Sequence, residues 1–249
     1  MRAMLREMTT GGEVDTLDLV NSESRKAEGR PWVLVNFVTS IDGATTVKGK
    51  SSALGDDDDL AMFKAIRSLP DVILVGARTV RAEDYQPVVL DEERRAVRRE
   101  RGQADDPILA IVSGSLGIDP EARVFGDPEH KPLILTSTTA DPGRLVNIGD
   151  MAEIAFLIEL TPEKILDQLG AASVVLLEGG PTLTGQFVAA GLVDEMCLTV
   201  SPLLVGGDSK RVAVGAEASP PLGMRLDRSH LGEGSLFLRY LRAEEKEES

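Results

Sequence analysis

The chain has 249 residues, 42% of them hydrophobic and only 4% aromatic, with a formal net charge of −14. That length suits one large α/β domain or two small ones, and a core poor in aromatics must be built from Val, Leu, Ile and Ala, which points to layered α/β structure. The acidic balance argues against a nucleic-acid or anionic-membrane surface, which needs a basic face, but leaves room for a small anionic ligand held by a few arginines and a helix N-terminus.

Residues 1–30 are polar and read as a loosely ordered arm with room for one helical turn. No run reaches the roughly 18 apolar residues of a membrane span and no signal peptide opens the chain, so a cytoplasmic protein is expected. One domain is expected over 31–242, followed by a charged tail at 243–249. Pro31 to Thr39 reads as the first strand. Leu60, Phe63, Ile66 and Leu69 recur at helical spacing behind the acidic run Asp56 to Asp59, which favours a helix N-terminus. Val72 to Gly76, Ile108 to Ser113, Leu133 to Ser137, Ala152 to Ile158, Val174 to Leu177 and Glu195 to Ser201 are apolar, β-rich strands. Between them fall helices over Glu92 to Arg101, Pro162 to Leu169 and Thr182 to Ala190. Met224 to Ser229 and Leu236 to Leu241 form a late antiparallel pair. Apolar strands alternating with helices imply a mixed, mostly parallel sheet covered on both faces. Cys197 sits alone in an apolar run, where a buried thiol is expected.

Three segments could carry chemistry. In Val174-Val-Leu-Leu-Glu178-Gly-Gly-Pro-Thr-Leu-Thr184 a buried strand ends at a carboxylate and two glycines, and a helix begins at Pro181 and Thr182. Gly179 and Gly180 allow close backbone approach, and the helix start offers free N–H groups to a diphosphate; a plain strand–turn–helix junction accounts for the same pattern. It is not the Gly-x-Gly-x-x-Gly fingerprint of an ordinary dinucleotide-binding domain. In Val75-Gly-Ala-Arg-Thr79-Val-Arg-Ala-Glu83-Asp84, Thr79 and Glu83 share a helix face and suit a nucleotide, or a helix cap and a solvated acid. In Asn36-Phe-Val-Thr-Ser40-Ile-Asp42-Gly43, continued by Lys48-Gly-Lys-Ser51-Ser52, polar groups follow a strand; they suit a phosphate, or a mobile polar loop. Arg67 by itself reads as a surface arginine. His130 and His230 are isolated, so no metal site is expected.

Together, Thr39-Ser-Ile-Asp-Gly43, Val75 to Asp84, Leu177-Glu-Gly-Gly-Pro-Thr-Leu183 and Ser201-Pro-Leu-Leu-Val-Gly-Gly207 resemble, in order and spacing, the RibD C-terminal family of riboflavin-biosynthesis pyrimidine reductases, in its free-standing form, from about Pro31 to Leu241. The resemblance implies a three-layer α/β/α, dihydrofolate-reductase-like fold, a homodimer, and NADPH as cofactor. It implies reduction of the ribosyl group of 5-amino-6-(5-phosphoribosylamino)uracil, or of the diamino-pyrimidinone analogue, to ribityl. On it, Thr79, Glu83, Ser113 and the run Gly179, Gly180, Pro181, Thr182, Leu183, Thr184 and on to Gln186 contact the cofactor. Asn36, Asp42, Ser51 and Arg67 face the substrate, and Glu178 binds it at the hydride-transfer centre as the catalytic residue. Arg78, Arg81 and Arg144 are candidates for the cofactor's 2′-phosphate.

The sequence departs from the bifunctional members in three places: Asn36 where they have Lys, Tyr85 to Leu90 without the expected substrate-binding Arg, and Ala53-Leu54 where an aromatic is expected. Two alternatives fit the same residues: a dihydrofolate- or pteridine-type reductase on the same fold, and a non-catalytic nucleotide-binding relative.

Overall fold

The computed structural model describes residues 15–21 and 24–243. Nine strands form one sheet: β1 (Trp32–Ser40), β2 (Val72–Gly76), β3 (Ile108–Val112), β4 (Leu133–Ser137), β5 (Glu153–Leu157), β6 (Val174–Leu177), β7 (Glu195–Ser201), β8 (Met224–Leu231) and β9 (Leu236–Arg242). Their order is β5-β4-β3-β2-β6-β1-β7-β9-β8. The first seven run parallel, while β9 runs antiparallel to both β7 and β8. The central strands carry unbroken apolar runs because both faces are covered; Val33–Val35, Ile73–Val75 and Val175–Leu177 have no exposed surface.

One face carries α1 (Thr16–Asn21), α2 (Asp57–Ile66), α3 (Ala77–Glu83), α4 (Glu92–Glu100) and α5 (Pro142–Ile148), which bring Leu17, Val20, Met62, Ile66, Val80 and Ile148 into one cluster. The other carries α6 (Pro162–Gln168) and α7 (Pro181–Ala189), through Ile165, Leu166, Leu183 and Phe187. This is the three-layer α/β/α arrangement with a mixed, mostly parallel sheet. The α2 start obeys its sequence signals: Asp56 caps it by accepting from the Asp59 amide at 2.8 Å, and Asp57–Asp59 lie in the first turn, where the helix dipole favours negative charge.

The structure departs from the expectation of a loose polar arm. Leu17 and Val20, spaced i and i+3 on α1, are buried in the core. Arg25 reaches Glu195 with two bonds, at 2.7 and 2.9 Å, and Arg30 reaches Asp194 at 2.6 and 2.7 Å. Glu195 is fully buried at the start of β7, and a buried carboxylate must be paired; Arg25, Arg239 and the Trp32 indole supply its donors. Two of the segment's charges thus serve buried acids, Arg25 on Glu195 and Arg30 on Asp194, while Lys26 and Glu28 are exposed. The first 14 residues of the expected arm and 244–249 of the tail lie outside the described residues. α5 was also not foreseen, although its start, Asp141 capping Gly143 N with Pro142 following, is an ordinary one.

Among the described residues no helix is long and apolar enough to cross a membrane. β7 is an interior strand between β1 and β9, so of the apolar stretch 198–205 only Pro202, Leu203 and Leu204, beyond the strand's end, stand exposed.

Candidate active site

The carboxyl ends of the parallel strands gather most of the chemistry, as expected where neighbouring loops open away from an α/β sheet. Glu178 follows β6 directly, its amide donating to Leu74 O of β2 at 3.1 Å. Its side chain is 3% exposed. Arg67, just past the end of α2, grips it with a fork: Nε to Oε1 at 2.7 Å and Nη2 to Oε2 at 2.6 Å. The Tyr85 hydroxyl donates a third bond, to Oε2 at 2.7 Å. The Arg67 guanidinium also lies over the Phe63 ring, 4.2 Å from its centre, and over Tyr85 at 5.6 Å. Burial works against the Arg67 charge, but the Glu178 carboxylate overrides it and holds the guanidinium above its ordinary pKa. Burial and the neighbouring carboxylate push the Tyr85 phenol well above its usual value, so its proton stays on the oxygen. A carboxylate has about four lone-pair sites, and three here are taken.

Beside Glu178 the β6–α7 and β2–α3 junctions touch. Gly76 N donates to Gly179 O at 2.8 Å, and a Cβ on Gly180 would sit 2.5 Å from Thr79 Oγ1. Gly179 has φ +102°, and a Cβ there would stand 3.2 Å from the Phe37 ring. Both positions therefore need glycine. α7 starts with no side-chain cap, so its first amides point outward unclaimed. Thr184, in its opening turns, is 1% exposed and its Oγ1 has no hydrogen-bond partner among the described residues. A backbone cradle that any side chain would fill, uncapped amides and an orphaned buried hydroxyl together fit the diphosphate of a dinucleotide.

The other expected residues fall into place unevenly. Glu83 Oε1 accepts from Ser51 N at 3.0 Å, and Lys50 Nζ bonds Ala82 O, so the 48–52 loop is fastened to the end of α3. Ser113 ends the β3 segment, buried, its carbonyl taking the Thr136 hydroxyl at 2.7 Å. Asn36 shares a face with Leu34, and continuing the β1–β6 register by one step sets it beside Glu178. It lines a small cavity of about 40 Å³ with Met62, Ile66 and Cys197.

Asp42 joins two loops. It accepts from Ser40 Oγ at 2.5 Å and from the amides of Val205 and Gly206 at 3.1 and 2.7 Å, pinning the loop after β7 to the end of β1. The Ser40 hydroxyl first, then those amides, hold its pKa down at about 2. The same loop closes on α7: Val214 N donates to Pro181 O at 3.0 Å, and a Cβ on Gly185 would collide with Val214 O. Tyr85 is the member that residue-by-residue reading missed. The available signal was an aromatic directly after Glu83-Asp84, where α3 ends in a left-handed cap and turns the chain inward.

This geometry can be set beside known proteins. The profile of the RibD C-terminal domain matches residues 31–235. The chain belongs to that family. It is 30% identical over 220 residues, 85% of this chain and 98% of the relative, to the 2,5-diamino-6-ribosylamino-4(3H)-pyrimidinone 5′-phosphate reductase of Methanothermobacter thermautotrophicus. It is also 30% identical over 184 residues to the riboflavin biosynthesis protein RibD of Mycobacterium tuberculosis, covering 74% of this chain but 45% of that protein. A solved pyrimidine reductase-like protein from Corynebacterium diphtheriae superimposes with a TM-score of 0.81 at 28% identity, covering 93% of this chain and all of that one. This RibD-family chain is thus similar along its length to free-standing relatives, and only to part of the longer ones.

Proposed function

We propose that this RibD-family chain is an NADPH-dependent oxidoreductase of riboflavin biosynthesis that reduces the ribosyl group of a phosphoribosylamino-pyrimidine to ribityl. The observation that carries the reading is the buried Arg67–Glu178–Tyr85 cluster set one residue before a diphosphate-shaped cradle. It puts a fixed anion beside the place where a nicotinamide dinucleotide would lie. The similarity to named pyrimidinone phosphate reductases supplies the substrate class.

The cofactor, when bound, supplies a hydride. The cradle residues Gly179, Gly180, Pro181, Thr182, Leu183 and Thr184, with Thr79 opposite, hold its diphosphate. Glu83 acts beside them by fixing the Ser51 loop, and Ser113 flanks the next strand end. Glu178, forked by Arg67 and bonded by the Tyr85 hydroxyl, keeps one acceptor position on Oε1, which takes a hydroxyl of the open sugar and orients it. Arg67 Nη1 and Asn36 complete the substrate side. The exposed Leu203 and Leu204, with Leu226 and Leu231 on the edge strand β8, support a homodimer. A cytoplasmic, reducing setting suits Cys197, whose thiol is pushed well above its ordinary pKa by burial.

The test follows loss of reduced-nicotinamide absorbance with the deaminated pyrimidine, the diamino pyrimidine and dihydrofolate in parallel. Turnover of either pyrimidine, lost in Glu178→Gln while NADPH still binds, supports the proposal. Turnover of dihydrofolate alone overturns the substrate, and NADPH binding with no turnover of any of the three points to a non-catalytic relative.

A further inference from the structure

All of α4 except Ala96 and Val97 is charged, a pattern that suits a solvated helix. Arg98, in its last turn, is 1% exposed all the same. The other arginines of the helix pair with acids: Arg94 with Asp91, Arg95 with Asp106, and Arg99 with Asp105 and Glu92. Arg98 donates to backbone carbonyls instead, Nε to Ala104 O at 2.7 Å and Nη1 to Ser68 O at 3.1 Å and Pro70 O at 2.5 Å. Burial lowers the pKa of its guanidinium, and the charge of Asp71 opposes this without cancelling it. A buried charge is costly, so one held by carbonyls calls for a reason.

The carbonyls it holds follow directly on Arg67. α2 ends at Ile66, Arg67 caps it, and residues 68–71 turn the chain into β2. Carbonyls at a helix end need donors from outside the helix, and the end of α4 supplies them. Besides the two bonds from Arg98, Arg101 Nη2 donates to Ser68 O at 3.1 Å and Gln103 Nε2 to Leu69 O at 3.0 Å. Gln103 also donates to Asp71 Oδ1 at 2.8 Å, while Asp71 Oδ2 accepts from the Ser173 and Val174 amides at 2.7 and 3.0 Å. Val174 opens β6, the strand that ends just before Glu178. One network therefore stands behind both partners of the Arg67–Glu178 fork. It is anchored in turn by Arg95, which grips Asp106 at 2.6 and 3.2 Å.

A two-bond fork tolerates little displacement of either partner. The Arg67 amide donates to Phe63 O at 3.1 Å, so its guanidinium starts from wherever the last turn of α2 is held. We propose that Arg98 is a positioning residue for the reduction: by holding Ser68 O and Pro70 O it fixes the end of α2, so that Arg67 meets Glu178 in the geometry that orients the sugar. Arg98 acts through that turn and not by contact with the substrate. A guanidinium suits the task because its planar fork donates in fixed directions, which an ammonium on a flexible stem does not. The inference rests on the reductase reading above and extends it to a helix outside the site.

The test compares wild type with Arg98→Met, Arg98→Lys, Arg101→Gln and, as a control on the exposed side of the same helix, Arg99→Gln. On the full chain, well below each melting midpoint, kcat and KM for the pyrimidine and the dissociation constant of NADPH are measured. Arg98→Met should lower kcat by about tenfold or more, since a misplacement of about 1 Å caused far from the chemistry can cost roughly a hundredfold. NADPH affinity should stay at the wild-type value, Arg98→Lys should recover part of the loss, and Arg99→Gln should match wild type. Added to Arg67→Gln, Arg98→Met should change kcat/KM by less than about twofold, because effects that run through one group do not add. Wild-type kcat in Arg98→Met, an equal loss of NADPH affinity, or an undiminished effect in the Arg67→Gln background overturns the proposal. If Arg98→Met does not fold, Arg98→Lys and Arg101→Gln decide: a smaller fall in kcat at unchanged NADPH affinity supports it, and wild-type kcat in both overturns it. Failure of the wild type to turn over either pyrimidine overturns the reductase reading instead. Urea stabilities of Arg98→Lys, Arg67→Gln and the double variant then decide the positioning: additive losses overturn it, and losses that fail to add support it.

Discussion

Replacing Tyr85 by Phe deletes one oxygen from the candidate site and leaves the ring against Arg67. What is lost is the 2.7 Å bond to Glu178 Oε2, a neutral hydroxyl donating to a buried carboxylate. Such bonds contribute about 1.5–3 kcal/mol, so roughly 2 kcal/mol of stability should go. For a chain of this size that lowers the melting temperature by roughly 4–8 °C. The comparison that isolates the bond is a double-mutant cycle with Glu178→Gln. That change alone leaves Arg67 one amide oxygen to donate to, with its second N–H facing an NH2 donor, and should cost about 3–5 kcal/mol, because a buried charge loses its partner. With the carboxylate gone, adding Tyr85→Phe should cost less than about 0.5 kcal/mol, giving a coupling of 1.5 kcal/mol or so. Urea unfolding of the four proteins, with calorimetric melting as a check, measures it. If Tyr85→Phe costs the same in both backgrounds, the hydroxyl stabilises something other than Glu178 and the account of the cluster fails.

Two further outcomes follow from the geometry. Gly180→Ala places a Cβ 2.5 Å from Thr79 Oγ1; overpacking of that kind costs about 1–3 kcal/mol, so NADPH binding should weaken by roughly tenfold or more, and adding Thr79→Ala should recover part of it. Titration calorimetry decides this, and an unaffected single variant would remove the close approach from the argument. His130 has its pKa raised above 6.5, chiefly by Asp127 with burial opposing and Asp106 adding. A raised folded pKa makes the protonated clasp stabilising below about 6.5 and progressively lost as pH climbs through the folded value. Melting temperatures of wild type should therefore fall relative to His130→Gln over that rise, and parallel pH profiles would refute the clasp.

The layered fold and nearly every strand were legible in the sequence because their signals are local. Val72–Gly76 and Val174–Leu177 are short unbroken apolar runs, which only a sheet covered on both faces accommodates. The Asp56 cap, Pro181 at the α7 start and the Glu178-Gly-Gly turn are likewise local rules of chain geometry. What the sequence by itself could not decide is which distant charges meet. Arg67 and Glu178 are 111 positions apart, and Arg25 and Glu195 are 170 apart. A lone arginine reads as a surface residue until a buried acid is found facing it. Asp42 reads as a ligand group, and only the fold shows that it also accepts from the amides of residues 205 and 206. Tyr85 escaped for the same reason, since its hydroxyl has meaning only once β6 has carried Glu178 beside it. Local propensity fixes the elements. The obligation to pair buried charge, satisfied only when those elements pack, fixes the site.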